Sequence, residues 1–194
     1  MHSPEIQRVF HILSRLPNMG FRSARRTLLY LLKQKNSVLP ALIQALQALQ
    51  ETTCVCKTCH MLDTCDPCVI CKDPKRNDQQ ICVVADLLDV WAFERSRVYR
   101  GHYHVLGGIL SAVEGVTPAH LTIESLNSRP CEEIILALPP TIDGQTTLHY
   151  VLQSLKGFPG KISMLAHGIP LGGDFEFLDE GTLATAFSAR RSAL

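Results

Sequence analysis

The sequence predicts an α/β fold built on a parallel sheet, with a helical segment and a cysteine-rich segment ahead of the sheet. Three observations lead to this prediction. Short apolar runs alternate with helical segments over residues 81–166, which is the rhythm of a parallel α/β sheet. Apolar residues recur at helical spacing over residues 4–51. Six of the eight cysteines lie between Cys54 and Cys71.

Composition places the chain among ordinary soluble proteins. It has 194 residues, of which 46% are hydrophobic and 19% are charged, enough for one core with one or two small satellite domains. No apolar run approaches the roughly 18 residues of a membrane span, and the first residues do not resemble a signal peptide. We therefore expect a cytoplasmic protein without a membrane partner. A reducing compartment favours metal-bound cysteines over disulfides.

Residues 1–53 are predicted to form a helix–hairpin–helix domain. Apolar residues at i, i+3, i+4 and i+7 indicate helices over 4–15 and 22–34, separated by Leu16-Pro-Asn-Met-Gly20. A third helix over 38–51 carries a leucine stripe that we expect in the core. Two helices joined by such a hairpin are typical of proteins that bind DNA without reading its sequence. The leucine stripe of the third helix consists of Leu39, Leu42, Ile43, Leu46 and Leu49.

The hairpin contains the candidate DNA-binding residues. Asn and Gly tolerate positive φ angles, so the turn can expose its backbone N–H groups. The following helix adds the positive end of its dipole, which suits a phosphate. This domain holds seven Lys/Arg and two Glu, a net charge of +5, whereas the rest carries −4, which favours an anionic partner. An ordinary helical hairpin with a solvated basic face is the alternative. The candidate DNA-binding residues of the hairpin are Asn18, Gly20, Arg22, Arg25 and Arg26.

Residues 54–76 are predicted to form a zinc finger. Two Cys-x-x-Cys pairs present four thiolates at the spacing of a tetrahedral zinc site. The segment has few large apolar residues, so metal binding would have to supply its folding free energy. Four sulfurs complete the coordination shell, which indicates one structural Zn²⁺ per chain. Cys54 and Cys65 remain alternative ligands. The preferred ligands are Cys56, Cys59, Cys68 and Cys71.

The rest of the chain predicts the parallel sheet, whose loops at the strand C-termini would hold a site. Acidic residues in these loops, Asp86, Asp89 and Asp143, are a thin set for a two-metal site. Strands are predicted at 81–84, 103–106, 134–138 and 162–166, and helices at 87–97, 145–156 and 181–190.

Several motifs, in this order after the hairpin and the four-cysteine element, resemble one family over about residues 5–190. They are Ile81-Cys-Val-Val84, Tyr103-His-Val-Leu-Gly-Gly108, Gly115-Val-Thr-Pro118, Ile134-Ile-Leu-Ala137, Ala166-His-Gly-Ile-Pro-Leu-Gly-Gly173 and Thr182-Leu183. The family is that of the bacterial recombination mediator RecR. The resemblance implies a Toprim-type domain over 79–174 and a C-terminal oligomerisation segment over 175–194.

The resemblance also implies a function. It implies a nucleoid-associated DNA repair protein that acts with RecO and RecF to load RecA onto single-stranded DNA in RecBC-independent recombination. It further implies a ring-like dimer or tetramer that encircles single- and double-stranded DNA without sequence preference. Arg22 and Arg26 match the basic DNA-contacting positions. Asn18 stands where the family usually has Gly, and Phe21-Arg22 stands where it has Pro-Lys.

Departures from the family at acidic positions bear on catalysis. The first strand ends in Ala85, where the family usually has Glu, and residues 139–145 read Pro-Pro-Thr-Ile-Asp-Gly-Gln instead of Asn-Pro-Thr-x-Glu-Gly-Glu. We therefore expect no enzymatic activity; the alternative is a Mg²⁺-dependent Toprim nuclease or primase. Asp143 and Gln145 lie in this loop, and we expect them to form part of a partner-binding surface.

Overall fold

The computed structural model describes residues 3–166, 168–170 and 172–190. The motif at 166–173 and the segment 175–194 therefore lie partly outside the described residues. Internal contacts divide the chain into two units, Met1–Thr53 and Cys54–Leu194. No helix among the described residues is both long and apolar enough to span a membrane.

The first unit consists of three helices: α1 (Pro4–Ser14), α2 (Phe21–Lys33) and α3 (Val38–Thr52). Helix α1 begins at a proline, which suits the first helical position because its missing N–H needs no partner there. Helix α2 buries one face, formed by Ala24, Leu28 and Leu31 at i, i+4 and i+7.

The leucine stripe of α3 is not in a core, so that expectation is wrong for the single chain. No residue of α3 is buried. The side chains of Leu42, Ile43, Leu46 and Leu49 are between 40% and 55% exposed. The 3.6-residue period identified the helix correctly, but periodicity does not tell which surface covers an apolar face.

The second unit begins with the cysteine segment (residues 54–76). It contains a two-stranded antiparallel ribbon of β1 (Cys54–Val55) and β2 (Leu62–Asp63). The ribbon and its turns are too short to bury a core of their own. The segment therefore depends on its neighbours in the chain and on whatever its cysteines bind.

The predicted parallel sheet is confirmed. Its strands are β3 (Asn77–Val84), β4 (Gly101–Val105), β5 (Glu133–Ala137) and β6 (Lys161–Met164), in the order β4-β3-β5-β6. All three neighbouring pairs are parallel. Helices α4 (Leu87–Ser96), α5 (Ile123–Leu126), α6 (Ile142–Ser154) and α7 (Glu180–Ser188) follow in the connections and at the C-terminal end.

Each face of the sheet belongs to a different hydrophobic cluster because side chains alternate along β3. Ile81 and Val83 lie in one cluster with Leu148 and Val151 of α6. Cys82 and Val84 lie in the other, which includes Val90 of α4. That second cluster also contains residues of the cysteine segment: Cys56, Cys59, Met61, Cys68 and Ile70.

Several element boundaries differ from the prediction, and the starts of β3 and α6 differ most. Strand β3 begins at Asn77, four residues early, because polar residues at the sheet margin still pair with β4 and β5. Helix α6 begins at Ile142, because the Thr141 hydroxyl accepts a hydrogen bond from the N–H of Gly144 at 3.1 Å. The apolar pattern alone marks neither feature.

A buried histidine on β4 is held in one neutral form. His104 is fully buried, and its Nε2 lies 3.0 Å from the Thr122 carbonyl oxygen, to which it must donate. Its Nδ1 lies 3.5 Å from Nη1 of Arg129 and can only accept there. Burial lowers the pKa of His104 to about 4. The His60 ring also packs against it, with centroids 5.2 Å apart.

We expect this burial to make stability fall with acidification. Between the ordinary histidine pKa of about 6.5 and the folded value, the unfolded chain binds a proton that the folded chain excludes. From pH 7 to pH 5 the free energy of unfolding should therefore drop by up to about 2 kcal/mol through this residue. Urea denaturation at the two pH values measures the drop. His104→Gln should reduce it, and His149→Gln, an exposed control, should not. Equal pH dependence in all three proteins contradicts this account.

Candidate metal centre and nucleic-acid interface

Four cysteines of the cysteine segment converge on one point. The Sγ atoms of Cys56, Cys59, Cys68 and Cys71 all lie within 4.8 Å of one another. The side chains of Cys56, Cys59 and Cys68 are at most 1% exposed, and that of Cys71 is half-buried. All eight cysteines of the chain are free thiols. The structure thus brings together the two Cys-x-x-Cys pairs that the sequence singles out.

Backbone hydrogen bonds shape the two turns that carry these cysteines. The N–H of Cys68 donates to Sγ of Cys56 at 3.3 Å, and the N–H of Cys71 donates to Sγ of Cys68 at 3.4 Å. His60 adopts a left-handed φ of 62°, which closes the first turn. N–H groups directed at sulfur stabilise thiolates, so these turns suit metal ligands.

Two aspartates that were not predicted as functional residues fix the turns. The carboxylate of Asp66 accepts a hydrogen bond from the N–H of Lys57 at 2.9 Å. That of Asp63 accepts one from the N–H of Val69, also at 2.9 Å. Each aspartate ties one turn to a distant part of the segment. An Asp among closely spaced cysteines is the only signal that the sequence offers for this role.

The chemistry of the four clustered cysteine thiols suits a bound metal ion. Hydrogen bonds from Cys59 and Cys71 lower the pKa of Cys68, while the hydrogen bond with Cys68 raises the pKa of Cys59. Four crowded thiolates repel one another, and a divalent cation removes that repulsion. Four sulfurs leave no coordination position for a substrate. Cys54 and Cys65 lie outside the group; the Sγ of Cys65 is 3.8 Å from Asp63 Oδ2.

The four-cysteine group is joined to the sheet. The N–H of Val105 at the end of β4 donates to the Cys59 carbonyl oxygen at 2.8 Å. Cys56 and Cys68 share a hydrophobic cluster with Cys82 and Val84 of β3. A metal ion bound here would therefore stabilise one face of the sheet as well as the cysteine segment.

The hairpin of the first unit has one left-handed residue. Asn18 has a φ of 60°, as expected of a residue that tolerates this region. Gly20 has a φ of −70° and serves as the N-cap of α2. The expectation that Gly20 also supplies a positive φ is therefore wrong. Within the described part of this unit no atom comes within 4 Å of where a Cβ would be, so the space beside Gly20 is open.

The N-terminus of α2 is open and basic. Gly20 has no side chain to cap the first turn, and that turn contains no acidic residue. The first N–H groups of a helix need an outside partner when no cap supplies one. Exposed basic side chains and Phe21 line a shallow depression beside this end of the helix. They are Arg22, Arg25 and Arg26.

The acidic residues after β3 have structural roles. The carboxylate of Asp86 caps α4, and that of Asp89 accepts a hydrogen bond from the N–H of Asp86 at 3.0 Å. Ala85 is buried, and its carbonyl oxygen accepts from Gly107 and Gly108. Among the described residues, the four cysteines are the only group of three or more side chains placed to share a metal ion.

The proposed partner-binding residues lie in the first turn of α6. Asp143 is half-buried, and Gln145 lines a groove between the ends of β5 and β6 and the helix α7. Pro140, Met164 and Thr182 line the same groove. The structure thus places Gln145 in a surface depression.

Comparisons with known proteins agree with one another. Residues 79–166 match the Toprim domain family, and residues 168–191 match the RecR C-terminal family. The chain is 49% identical to the recombination protein RecR of Erythrobacter litoralis, over 98% of each chain. It is 48% identical to the RecR of Sphingopyxis alaskensis over 98% of each chain, and 50% identical to that of Bartonella quintana over 96% of this chain and 95% of that one. The chain therefore belongs to the RecR family of recombination proteins.

Proposed function

We propose that this chain is a non-enzymatic mediator that holds DNA in a ring-like clamp and promotes RecA loading onto single-stranded DNA. In this role it acts with RecO and RecF in RecBC-independent recombinational repair, in the cytoplasm at the nucleoid. Family membership makes it a protein of DNA repair and recombination. The observation that carries the DNA-binding role is the open, basic N-terminus of α2.

The hairpin supports binding to a phosphate rather than to a base. Uncapped N–H groups and the helix dipole attract an anion, and the space beside Gly20 is open to it. Asn18 and the arginines at 22, 25 and 26 surround the same turn. Contacts of this kind hold the backbone of single- or double-stranded DNA in place and carry no sequence information.

Exposed apolar surfaces support self-association. The leucine stripe of α3 is exposed along the helix. Near the C-terminal end, the side chains of Phe175, Phe177 and Phe187 are 68%, 81% and 71% exposed. Isolated apolar side chains are normal on a surface, whereas several exposed in the same segment support the proposed contacts with other chains. Copies of this chain that cover both groups can form the dimer or tetramer of a clamp.

Two features support a role without catalysis. Ala85 has no group that could hold Mg²⁺ where a Toprim enzyme has an acid. Asp86 and Asp89 are engaged at the start of α4. We propose instead that Asp143, Gln145 and the groove beside them form a docking surface for RecO.

We propose that the four cysteines hold a structural Zn²⁺, and Cys59→Ser tests this. Loss of one of four buried ligands should abolish binding of about one zinc per chain. It should also lower the midpoint of thermal unfolding by on the order of 10 °C, because bound metal supplies folding free energy. Zinc quantification and thermal denaturation measure both effects. Cys54→Ser is the matched control and should retain zinc. A Cys59→Ser protein with zinc and wild-type stability contradicts the proposal.

The phosphate-binding role of the hairpin predicts a uniform loss of affinity. Arg26→Glu should weaken binding of unrelated DNA sequences equally, by about 10-fold or more at low salt. It should also reduce the slope of log K against log[salt] by about one unit. Fluorescence anisotropy with labelled oligonucleotides measures both. Lys156→Glu, which reverses one exposed charge in the second unit, is the control. A loss confined to one DNA sequence rules out a phosphate contact.

The clamp requires that the leucine stripe be covered by another chain. Leu46→Glu should shift the protein from a dimer or tetramer toward the monomer, because it places a charge in an apolar contact. Size-exclusion chromatography with light scattering, with and without DNA, gives the mass. Gln47→Glu introduces the same charge one residue away and should leave the mass unchanged. A wild-type protein that is monomeric even with DNA excludes encirclement.

A further inference from the structure

A second basic surface lies where α4 ends and β4 begins. A cleft of about 340 Å³ is lined by three arginines, one glutamate and one tyrosine. It is at the amino ends of the strands, whereas the loops that usually carry sites in parallel sheets follow the carboxyl ends. Three guanidinium groups and one carboxylate line the cleft, so it favours an anion. Its lining residues are Arg76, Glu94, Arg97, Tyr99 and Arg100.

The carboxylate that lines the cleft is already engaged. Nη1 of Arg76 donates to Oε1 of Glu94 at 2.9 Å, and the Tyr103 hydroxyl donates to the same oxygen at 2.8 Å. The hydrogen bond from Arg76 lowers the pKa of Glu94, which keeps it ionised and paired. Arg76 is therefore paired with Glu94 and Asp73, so two carboxylates face the three guanidinium groups. The other two arginines of the cleft form no ion pair within the described residues.

The remaining donors have no partner in the described residues. The side chains of Arg97 and Arg100 are exposed, and neither donates a hydrogen bond within the part of the chain that the structure describes. The Arg76 side chain is 10% exposed, and its buried Nε has no hydrogen-bond partner there. This Nε forms an ion pair with Oδ2 of Asp73 at 3.8 Å, which is beyond hydrogen-bonding distance. Guanidinium groups with free donors match the oxygens of a phosphate.

The backbone beneath these arginines is held in place. Arg97 ends α4 in the left-handed conformation, with a φ of 57°, and its N–H bonds to the Phe93 carbonyl oxygen at 3.1 Å. The Tyr99 hydroxyl lies 3.0 Å from the carbonyl oxygens of Gln80 and His102 and ties the turn to β3 and β4. A ligand would meet a fixed base, so little ordering entropy opposes binding.

An exposed aromatic ring lies on α4, one turn before Glu94 of the cleft. Trp91 is the only tryptophan of the chain, and its side chain is 59% exposed. It precedes Glu94 by three residues on α4, and residues at this spacing are neighbours on one helix flank. Leu88, 66% exposed, lies one turn further back. An unpaired base can stack on such a ring, and arginines beside it can hold the adjoining phosphate.

We propose that this cleft and Trp91 form a second nucleic-acid site that binds unpaired DNA, with a phosphate between the arginines and a base on the indole ring. The inference rests on the proposed DNA binding and deepens it. The hairpin holds any backbone, whereas a base can reach Trp91 only where the strands are separated. An acidic peptide also offers negative charge. Single-stranded DNA is favoured because one polymer supplies both the phosphate and the flat ring.

The single tryptophan makes the site directly observable. In the full-length protein, all tryptophan emission comes from Trp91. A thymidine oligonucleotide should quench this emission, with the same midpoint as its binding measured by anisotropy of a labelled copy. A duplex of equal length should bind with little quenching. Inorganic phosphate alone, and a peptide of glutamate and phenylalanine, should not reproduce the effect at matched concentrations.

Substitutions separate this site from the hairpin. Arg100→Gln and Arg97→Asn should each weaken binding of the oligonucleotide several-fold and reduce its salt slope by about 0.7 per lost phosphate contact. Asn is used at 97 because it tolerates the left-handed backbone. Lys156→Gln removes an exposed charge elsewhere in the same unit and should have no effect. Arg26→Glu should weaken duplex and single strand together while the quenching at saturation remains.

Each failure has its own meaning. Oligonucleotide binding without any change in Trp91 emission, and with wild-type affinity in Arg100→Gln, overturns the second site and leaves the hairpin proposal standing. No binding of any DNA overturns both. Full quenching by inorganic phosphate or by the acidic peptide alone overturns DNA as the occupant.

Discussion

Strand β3 lies inside the sheet, and apolar side chains on both of its faces must be buried. This requirement determines which elements of the second unit pack against the sheet. The side chains of β3 alternate between two hydrophobic clusters. Helices α5 and α6 cover one face. The other face is covered by α4 and by the cysteine segment, which cannot fold on its own apolar content. The four cysteines are therefore part of the core of the α/β unit, and a metal ion bound there would stabilise the fold as a whole.

The N-termini of α4 and α2 differ in one respect: a side chain caps the first and none caps the second. Asp86 is the N-cap of α4, and its carboxylate and that of Asp89 accept hydrogen bonds from backbone N–H groups at this end of the helix. Gly20 is the N-cap of α2 and has no side chain that could do so. Both helices have the positive end of a dipole there, but only α2 leaves its first N–H groups available to an outside anion.

The basic residues form two surfaces of different character. Around the hairpin, arginines accompany open N–H groups, a combination that suits any phosphate backbone. At the end of α4, arginines accompany an exposed indole ring, a combination that suits an unpaired strand. The proposed role in loading a recombinase onto single-stranded DNA would benefit from a site that distinguishes an unpaired strand from a duplex. The net charge of +1 conceals both surfaces, because acidic residues elsewhere offset them.

The sequence by itself determined the features that depend on local spacing. Apolar periods of 3.6 residues identify α1 to α3, short buried runs identify the parallel strands, and Cys-x-x-Cys spacing identifies the four cysteines. Motifs along the whole chain identify the family. These features could be predicted because each depends on the spacing of residues that are close together in the sequence.

Only the tertiary structure decided how distant residues meet. It shows that the cysteine segment covers a face of the sheet, that Asp63 and Asp66 brace its turns, and that Asn18 rather than Gly20 takes the left-handed conformation. It also brings Arg76 beside Glu94, eighteen positions apart in the chain, to form the basic cleft. Strand register and the path of the backbone set such contacts. Local periodicity carries no information about either, because it reports which face of an element is apolar and not what covers it.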